Sequence, residues 1–292
     1  GYDMLLHDVA LSGLHVVLGV DRAGLVGADG ETHHGCFDVM YLSQVPGMKV
    51  FCPASFAELR TMLRRAVQEE TGPVAVRYPR GGEGAYQEDR SDEAIACLRP
   101  GTDITLLTYG ILINEALSAA DLLAQRGISA QVLKLSTIAP LDPETVRTAL
   151  TGTKRLLVLE DCVETGCVGQ RVAAVMAQLG MAPRRLVLKN TGDRFIPQGS
   201  VAELRHLCGL DAEGVAAAAE EAVHEQGDAC LFFPHGQHGK ESEGHGPRPE
   251  SGGRRRGRHD RRFDRHRPFP RERQGDLRRS RVRRPHSHGG AG

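Results

Sequence analysis

Short apolar runs alternate with amphipathic stretches along most of the chain, the pattern of β-strands each followed by a helix. The first stretch, 3–11, reads as a helix. An apolar run follows at 15–20, His15-Val16-Val17-Leu18-Gly19-Val20, expected as a buried strand that feeds a polar, glycine-rich loop. Next come a short helix at 39–45, closed by Pro46-Gly47, and a brief strand at 49–52. Ser55 is placed to cap a helix over 56–70, in which Phe56, Leu59, Leu63 and Val67 share one face. A strand at 73–78 delivers Pro79-Arg80-Gly81, and 82–100 is polar and irregular, which puts a domain boundary there.

The alternation then restarts. Strands are expected at 104–108, 129–135, 155–159 and 185–188, with helices at 114–125, 144–150, 169–179, 201–208 and 211–224. Strand–helix alternation with short connections builds a mostly parallel sheet covered by helices. The fold class is therefore α/β, in two domains at 1–90 and 91–228.

Composition changes this picture at one place. Residues 1–228 hold 20 Lys and Arg against 30 Asp and Glu, and 229–292 hold 17 against 7, so the formal net charge of zero sums two unlike pieces. The second piece, rich in Arg, Gly, His and Pro, lacks the apolar surface to offset chain entropy and reads as a disordered basic tail. Its abrupt onset is also what a GC-rich gene yields when read out of frame. Only Phe263 and Phe269 interrupt its Arg-rich part, too few for base stacking, so no nucleic-acid partner is expected. No apolar run approaches the roughly 18–20 residues that span a membrane. Seven scattered cysteines without C-x-x-C spacing read as free thiols, and a cytoplasmic location is expected. The chain opens with Gly1-Tyr2-Asp3-Met4, already inside a helical pattern, and is expected to be cut from something longer.

The candidate chemistry is concentrated in the segment from Val20 to Gly35, which holds Arg22, Asp29, His33 and His34 among several glycines. A glycine-rich loop at the end of a strand is where open α/β sheets place ligands. Arg22 offers a planar fork suited to phosphate or carboxylate, and a histidine can move a proton near neutral pH. Arg80 follows another strand in the same way. Adjacent His33 and His34 point in different directions, so no metal site is expected there.

These residues also carry a resemblance. The segments H-D-V-A-L at 7–11, V-D-R-A-G-L-V-G-A-D-G at 20–30, T-H-H-G-C-F-D at 32–38 and V-R-Y-P-R-G at 76–81 are similar to the 1-deoxy-D-xylulose-5-phosphate synthases. Those are thiamine-diphosphate enzymes of the transketolase superfamily. L-L-T-Y-G at 106–110, L-E-D at 159–161, G-C-V-G at 166–169 and D-R-F-I-P-Q-G-S at 193–200 extend the likeness to about residue 226.

The resemblance implies a homodimeric enzyme that condenses pyruvate with D-glyceraldehyde 3-phosphate, releasing CO2, with thiamine diphosphate and Mg²⁺ as cofactors. It also implies that 1–90 is the back part of the pyrimidine-binding domain and 91–228 the transketolase C-terminal domain. Arg22 and Arg80 match positions that grip the substrate phosphate, and Asp29 and His33 match positions near the reacting carbons. His34 matches no assigned role. Gly24, Gly27 and Gly30 shape the loop, Glu160 and Asp161 serve structure or an interface, and His7-Asp8 forms a buried structural pair. The main cofactor-binding residues are expected upstream of Gly1, so these residues alone are expected to be inactive. A transketolase, a 2-oxoacid dehydrogenase β-subunit-like protein and a non-catalytic dimerisation module are the alternatives.

Overall fold

The computed structural model describes residues 1–225 together with the backbone of a strand at Cys230–Phe232. The described residues lie within one compact unit, Gly1–Gly239. The rest of the stretch read as a basic tail, 229–292, lies outside the described residues. The strands are Val17–Val20 (β1), Lys49–Phe51 (β2), Val74–Arg77 (β3), Ile95–Arg99 (β4), Ile104–Tyr109 (β5), Ala130–Leu135 (β6), Thr137–Ala139 (β7), Arg155–Leu159 (β8), Arg185–Lys189 (β9) and Cys230–Phe232 (β10). The helices are Asp38–Ser43 (α1), Phe56–Gln68 (α2), Ile113–Gln125 (α3), Pro143–Ala149 (α4), Val168–Gln178 (α5), Val201–Cys208 (α6) and Ala212–His224 (α7), preceded by a π-helical stretch, Met4–Ala10.

Two sheets result. One has the order β1-β3-β2-β7, parallel except for β7. The other has the order β10-β9-β8-β5-β6-β4, parallel except for β4. This is the α/β architecture that the sequence implied, with helices packed on sheets. Parallel strands covered on both faces need continuous apolar runs, and every residue of β5 is buried. One apolar cluster packs α3 and α7 against a face of the six-stranded sheet. The other joins α4 and α5 to the opposite face and also takes in Val39 and Leu42 of α1 and Val50 of the smaller sheet. β7, at 137–139, joins the smaller sheet through β2, and both apolar clusters take in residues from either side of residue 90.

The helix starts follow from their caps. Ser55 accepts the Glu58 N–H at the head of α2, and Asp142 caps α4 with Pro143 at its first position. Ser200 and Glu203 form a reciprocal capping box on α6, and Gly209, with φ +61°, ends that helix.

Several expectations need correction. The run at 15–20 is an outer, half-exposed strand, because β1 pairs only with β3. Strands β4, β7 and β10 fall where none was expected; β4 lies inside the stretch read as irregular. His7 and Asp8 are exposed rather than a buried pair, with Leu5 the buried member of their helix.

The inward face of α2 is Glu58, Met62 and Ala66, while Phe56 and Val67 are exposed. The reason is a charge. Glu58 is fully buried, pairs with Lys134 Nζ at 2.8 Å and accepts from Tyr86 Oη at 3.0 Å and the N–H groups of Ala54 (2.8 Å) and Arg90 (3.2 Å). Lys134 is on β6 of the other sheet and donates also to Ser136 Oγ. Apolar periodicity cannot show a helix face whose central residue is a glutamate.

Of the six cysteines described, Cys97 is exposed and Cys36, Cys52, Cys162, Cys167 and Cys208 are buried. Burial pushes all five of those thiols up, Cys52 to about 12. A bulky disulfide reagent at pH 8 should therefore label Cys97 within minutes and the buried five only after denaturation. Mass spectrometry of the labelled peptides checks this, and rapid native labelling of Cys52 or Cys162 would contradict it.

Candidate active site

β1 and β3 are parallel neighbours with Val20 opposite Arg77, so the loops that leave them emerge on the same side. Arg22 lies two residues past one strand and Arg80 three past the other. Arg22 has φ +58°, the only described non-glycine residue in the left-handed region. Such backbone costs on the order of 1–3 kcal/mol and persists only where neighbours over-determine it.

The neighbours are evident. Ala23 N–H donates to the Tyr78 carbonyl at 3.0 Å, and Gly24 and Gly35 exchange two backbone hydrogen bonds of 2.9 and 2.8 Å. A Cβ on Gly35 would lie 2.2 Å from the Arg22 carbonyl oxygen, and one on Gly24 2.3 Å from Asp161 Oδ2. Both glycines are required for this close approach, as the sequence reading had it for Gly24.

The loop carries Asp29 back to the two arginines at the end of a single 3-10 turn, Gly27–Asp29. Arg80 Nη1 donates to Asp29 Oδ2, and Arg22 Nη2 lies 3.5 Å from the same oxygen. The Arg80 and Arg22 side chains remain 53% and 44% exposed, so a ligand can reach them. The hydrogen bond from Arg80, reinforced by the charges of Arg80, Arg22 and His33, holds the Asp29 carboxyl below the usual carboxylate range. Two convergent cations around one carboxylate oxygen make a site for an anion.

His33 is exposed, with Nδ1 2.9 Å from Thr32 Oγ1. Its neighbour His34 is the buried one. Val26 N–H donates to its Nδ1 at 3.1 Å, and Nε2, then the protonated nitrogen, faces the Pro197 carbonyl at 3.3 Å. His34, which matched no family role, thus pins the loop that carries Arg22 and Asp29 onto the segment around Pro197. Arg22, Asp29 and Arg80 are brought together, with His33 close enough to bear on Asp29 electrostatically.

Sequence reasoning missed what lies beneath. Arg77 is buried; its Nε donates to Asp38 Oδ2 at 2.9 Å and its Nη2 to the Gly35 carbonyl at 3.1 Å. Nη2 also lies 2.9 Å from Asp161 Oδ1, an ion pair outside good hydrogen-bond angles, and Cζ sits 5.8 Å from the Tyr109 ring centroid. Burial alone would favour the neutral guanidine, but Asp161 and Asp38 outweigh it and keep Arg77 charged. An arginine closing the otherwise apolar strand Val74-Ala75-Val76 was the available signal. Asp161 therefore serves the junction between the sheets. Glu160 serves local structure, accepting Tyr109 Oη at 2.9 Å and the N–H groups of Val168 (2.8 Å) and Gly169 (2.7 Å) at the head of α5.

A polar cavity of about 220 Å³ opens beside Arg80, lined also by Asn114, Asp161 and Arg205. Among the described residues no group of three or more His, Cys, Asp or Glu is arranged to hold a metal ion, and no helix is long and apolar enough to cross a membrane.

Comparison with known proteins shows the family. Residues 1–82 match the transketolase pyrimidine-binding domain and 94–215 the transketolase C-terminal domain. A 1-deoxy-D-xylulose-5-phosphate synthase of Geobacter sulfurreducens is 39% identical over 231 residues, covering 77% of this chain and 36% of that protein. The synthase of Thiobacillus denitrificans is 41% identical over 227 residues, covering 76% and 36%. The chain thus spans about a third of the length of these relatives. A solved structure described as a split-gene transketolase, inactive β4 tetramer, superposes with a TM-score of 0.66 at 25% identity, covering 76% of this chain and 71% of that one.

Proposed function

The chain belongs to the transketolase family, and from that premise we propose that it supplies the aldehyde-phosphate site of a 1-deoxy-D-xylulose-5-phosphate synthase. The reaction so assigned joins pyruvate to D-glyceraldehyde 3-phosphate and gives 1-deoxy-D-xylulose 5-phosphate and CO2. The observation that carries this reading is the convergence of Arg22 and Arg80 on one carboxylate oxygen. A phosphate monoester offers three acceptor oxygens and nearly two negative charges at pH 7, against one charge for Asp29.

Seated there, the phosphate anchors the far end of the triose and leaves its aldehyde free. Asp29 and His33 are the groups we assign to the hydroxyl and carbonyl oxygens of the substrate. With Nδ1 engaged by Thr32, Nε2 of His33 is the ring atom that exchanges a proton.

Thiamine diphosphate with Mg²⁺ supplies the carbanion chemistry when bound. The described residues offer no acidic cluster for a cation–diphosphate pair, so the part assigned to them is confined to the aldehyde substrate. We therefore expect these 292 residues alone to form no product. The relative described as an inactive β4 tetramer supports that expectation, and supports self-association, proposed here as a homodimer.

Calorimetric titration with D-glyceraldehyde 3-phosphate and with unphosphorylated D-glyceraldehyde tests the reading. The phosphate ester should bind and the free aldehyde should not; equal affinities would remove the argument for a phosphate grip. Product from the purified chain given pyruvate, the triose phosphate, thiamine diphosphate and Mg²⁺ would overturn the expected inactivity.

A further inference from the structure

Arg77 lies under the phosphate site without touching it, and its contacts come from both domains. Asp38 and Gly35 belong to the pyrimidine-binding domain, whereas Asp161 and Tyr109 belong to the C-terminal domain. A buried arginine between two carboxylates is by itself weak grounds for anything but packing.

The third bond of Arg77 is different in kind. The Gly35 carbonyl that it holds is the acceptor for Gly24 N–H, and Gly35 N–H returns a bond to the Gly24 carbonyl. The Arg22 carbonyl packs against Gly35 on one side, and Asp161 packs against Gly24 on the other. The left-handed turn at Arg22 is thus clamped between Gly35 and Asp161. Arg77 Nη2 is the single atom that reaches both jaws. Backbone contact from Val163 N–H to the Cys36 carbonyl, 2.9 Å, extends the same seam.

We propose that Arg77 is a positioning residue through which Asp161, in the C-terminal domain, fixes the left-handed backbone of Arg22 and so the aim of its guanidinium. The inference rests on the reading of Arg22 and Arg80 as a phosphate grip, and it gives the C-terminal domain a part in substrate binding beyond any role in assembly. Lysine at position 77 keeps the charge and loses the fork, so it cannot hold Gly35, Asp38 and Asp161 at once. Asparagine at 161 keeps the shape against Gly24 and loses the charge that draws Arg77.

Hydrogen exchange followed by mass spectrometry on the whole chain tests this without any ligand. In Arg77→Lys and Asp161→Asn the amides of Ala23, Gly24 and Gly35 should exchange at least tenfold faster, while those of β5 and β8 keep their protection. Affinity for inorganic phosphate and for D-glyceraldehyde 3-phosphate should fall tenfold or more, with Arg22 and Arg80 still in place. Added methylguanidinium should restore both readouts in Arg77→Ala, which repair of general packing loss would not do. Unchanged exchange at Ala23, Gly24 and Gly35 in both milder variants would overturn the proposal. Were the wild type to bind neither phosphate ligand, the phosphate reading would fall, and the exchange data would still decide whether Arg77 and Asp161 hold the turn.

Discussion

Lys134→Met is expected to lower the stability of the chain by about 3–5 kcal/mol, because it strands a buried carboxylate. Lys134 and Glu58 are both wholly inside, 2.8 Å apart, and they tie β6 of the C-terminal domain to α2 of the pyrimidine-binding domain. The remaining partners of Glu58, Tyr86 Oη and the N–H groups of Ala54 and Arg90, are neutral donors and cannot balance its charge. At roughly 2–4 °C per kcal/mol for a chain of this size, the melting temperature should drop by about 6–20 °C. The double variant Lys134→Met with Glu58→Gln should recover much of the loss, since it removes the charge and leaves an acceptor for the same donors. Urea denaturation of the four proteins of the cycle measures this. A loss below about 1 kcal/mol in the single variant, the range of an exposed pair, would mean that the pair is not isolated from water.

That pair also marks where the sequence stopped being legible. Arg155–Leu159 and Val201–Cys208 were readable to the residue, since one is an aliphatic run behind a single arginine and the other opens on a capping box. Ile95–Arg99 and Thr137–Ala139 were not, because each is a short strand at the margin of a sheet, defined by its partner and not by its own pattern. The buried face of α2 turns on Glu58, which only a lysine from another domain makes tolerable.

The site divides in the same way. Arg22, Asp29 and Arg80 could be named from the sequence because family motifs place them, although strand pattern alone gave only a loop after each of two strands. Arg77, Asp38 and Asp161 act through long-range pairing, and nothing local distinguishes a buried ionic junction from charges on the surface. His33 and His34 show the limit most plainly. Two identical side chains stand next to each other, and only the fold decides that one is a buried anchor and the other faces the solvent.

Removing either arginine assigned to the phosphate should weaken binding of D-glyceraldehyde 3-phosphate by about 10- to 100-fold, and changing Asp29 should do the opposite for a bare anion. A hydrogen bond to a charged group contributes on the order of 1.5–3 kcal/mol, and each 1.4 kcal/mol is tenfold in affinity. Arg22→Ala and Arg80→Ala are therefore expected near that range, at its lower end in high salt because both groups are partly exposed. Their losses should not add, since both arginines hold one ligand.

Asp29 occupies the fork that a phosphate would fill. Asp29→Asn removes a competing charge, so inorganic phosphate should bind several-fold more tightly, while the triose phosphate gains less if Asp29 also contacts its hydroxyl. The pH dependence follows from the same geometry. Because the Asp29 carboxyl is held below its usual range, it stays ionised at every pH from 5 upward and contributes no change there. The ligand does change, since its second phosphate proton leaves near pH 6. Affinity should rise from pH 5 to about 7 and then level off, with the same profile in wild type and in Asp29→Asn. If that variant instead lost phosphate binding as Arg80→Ala does, Asp29 would be the group that orders the two guanidinium forks and not the one that competes for them.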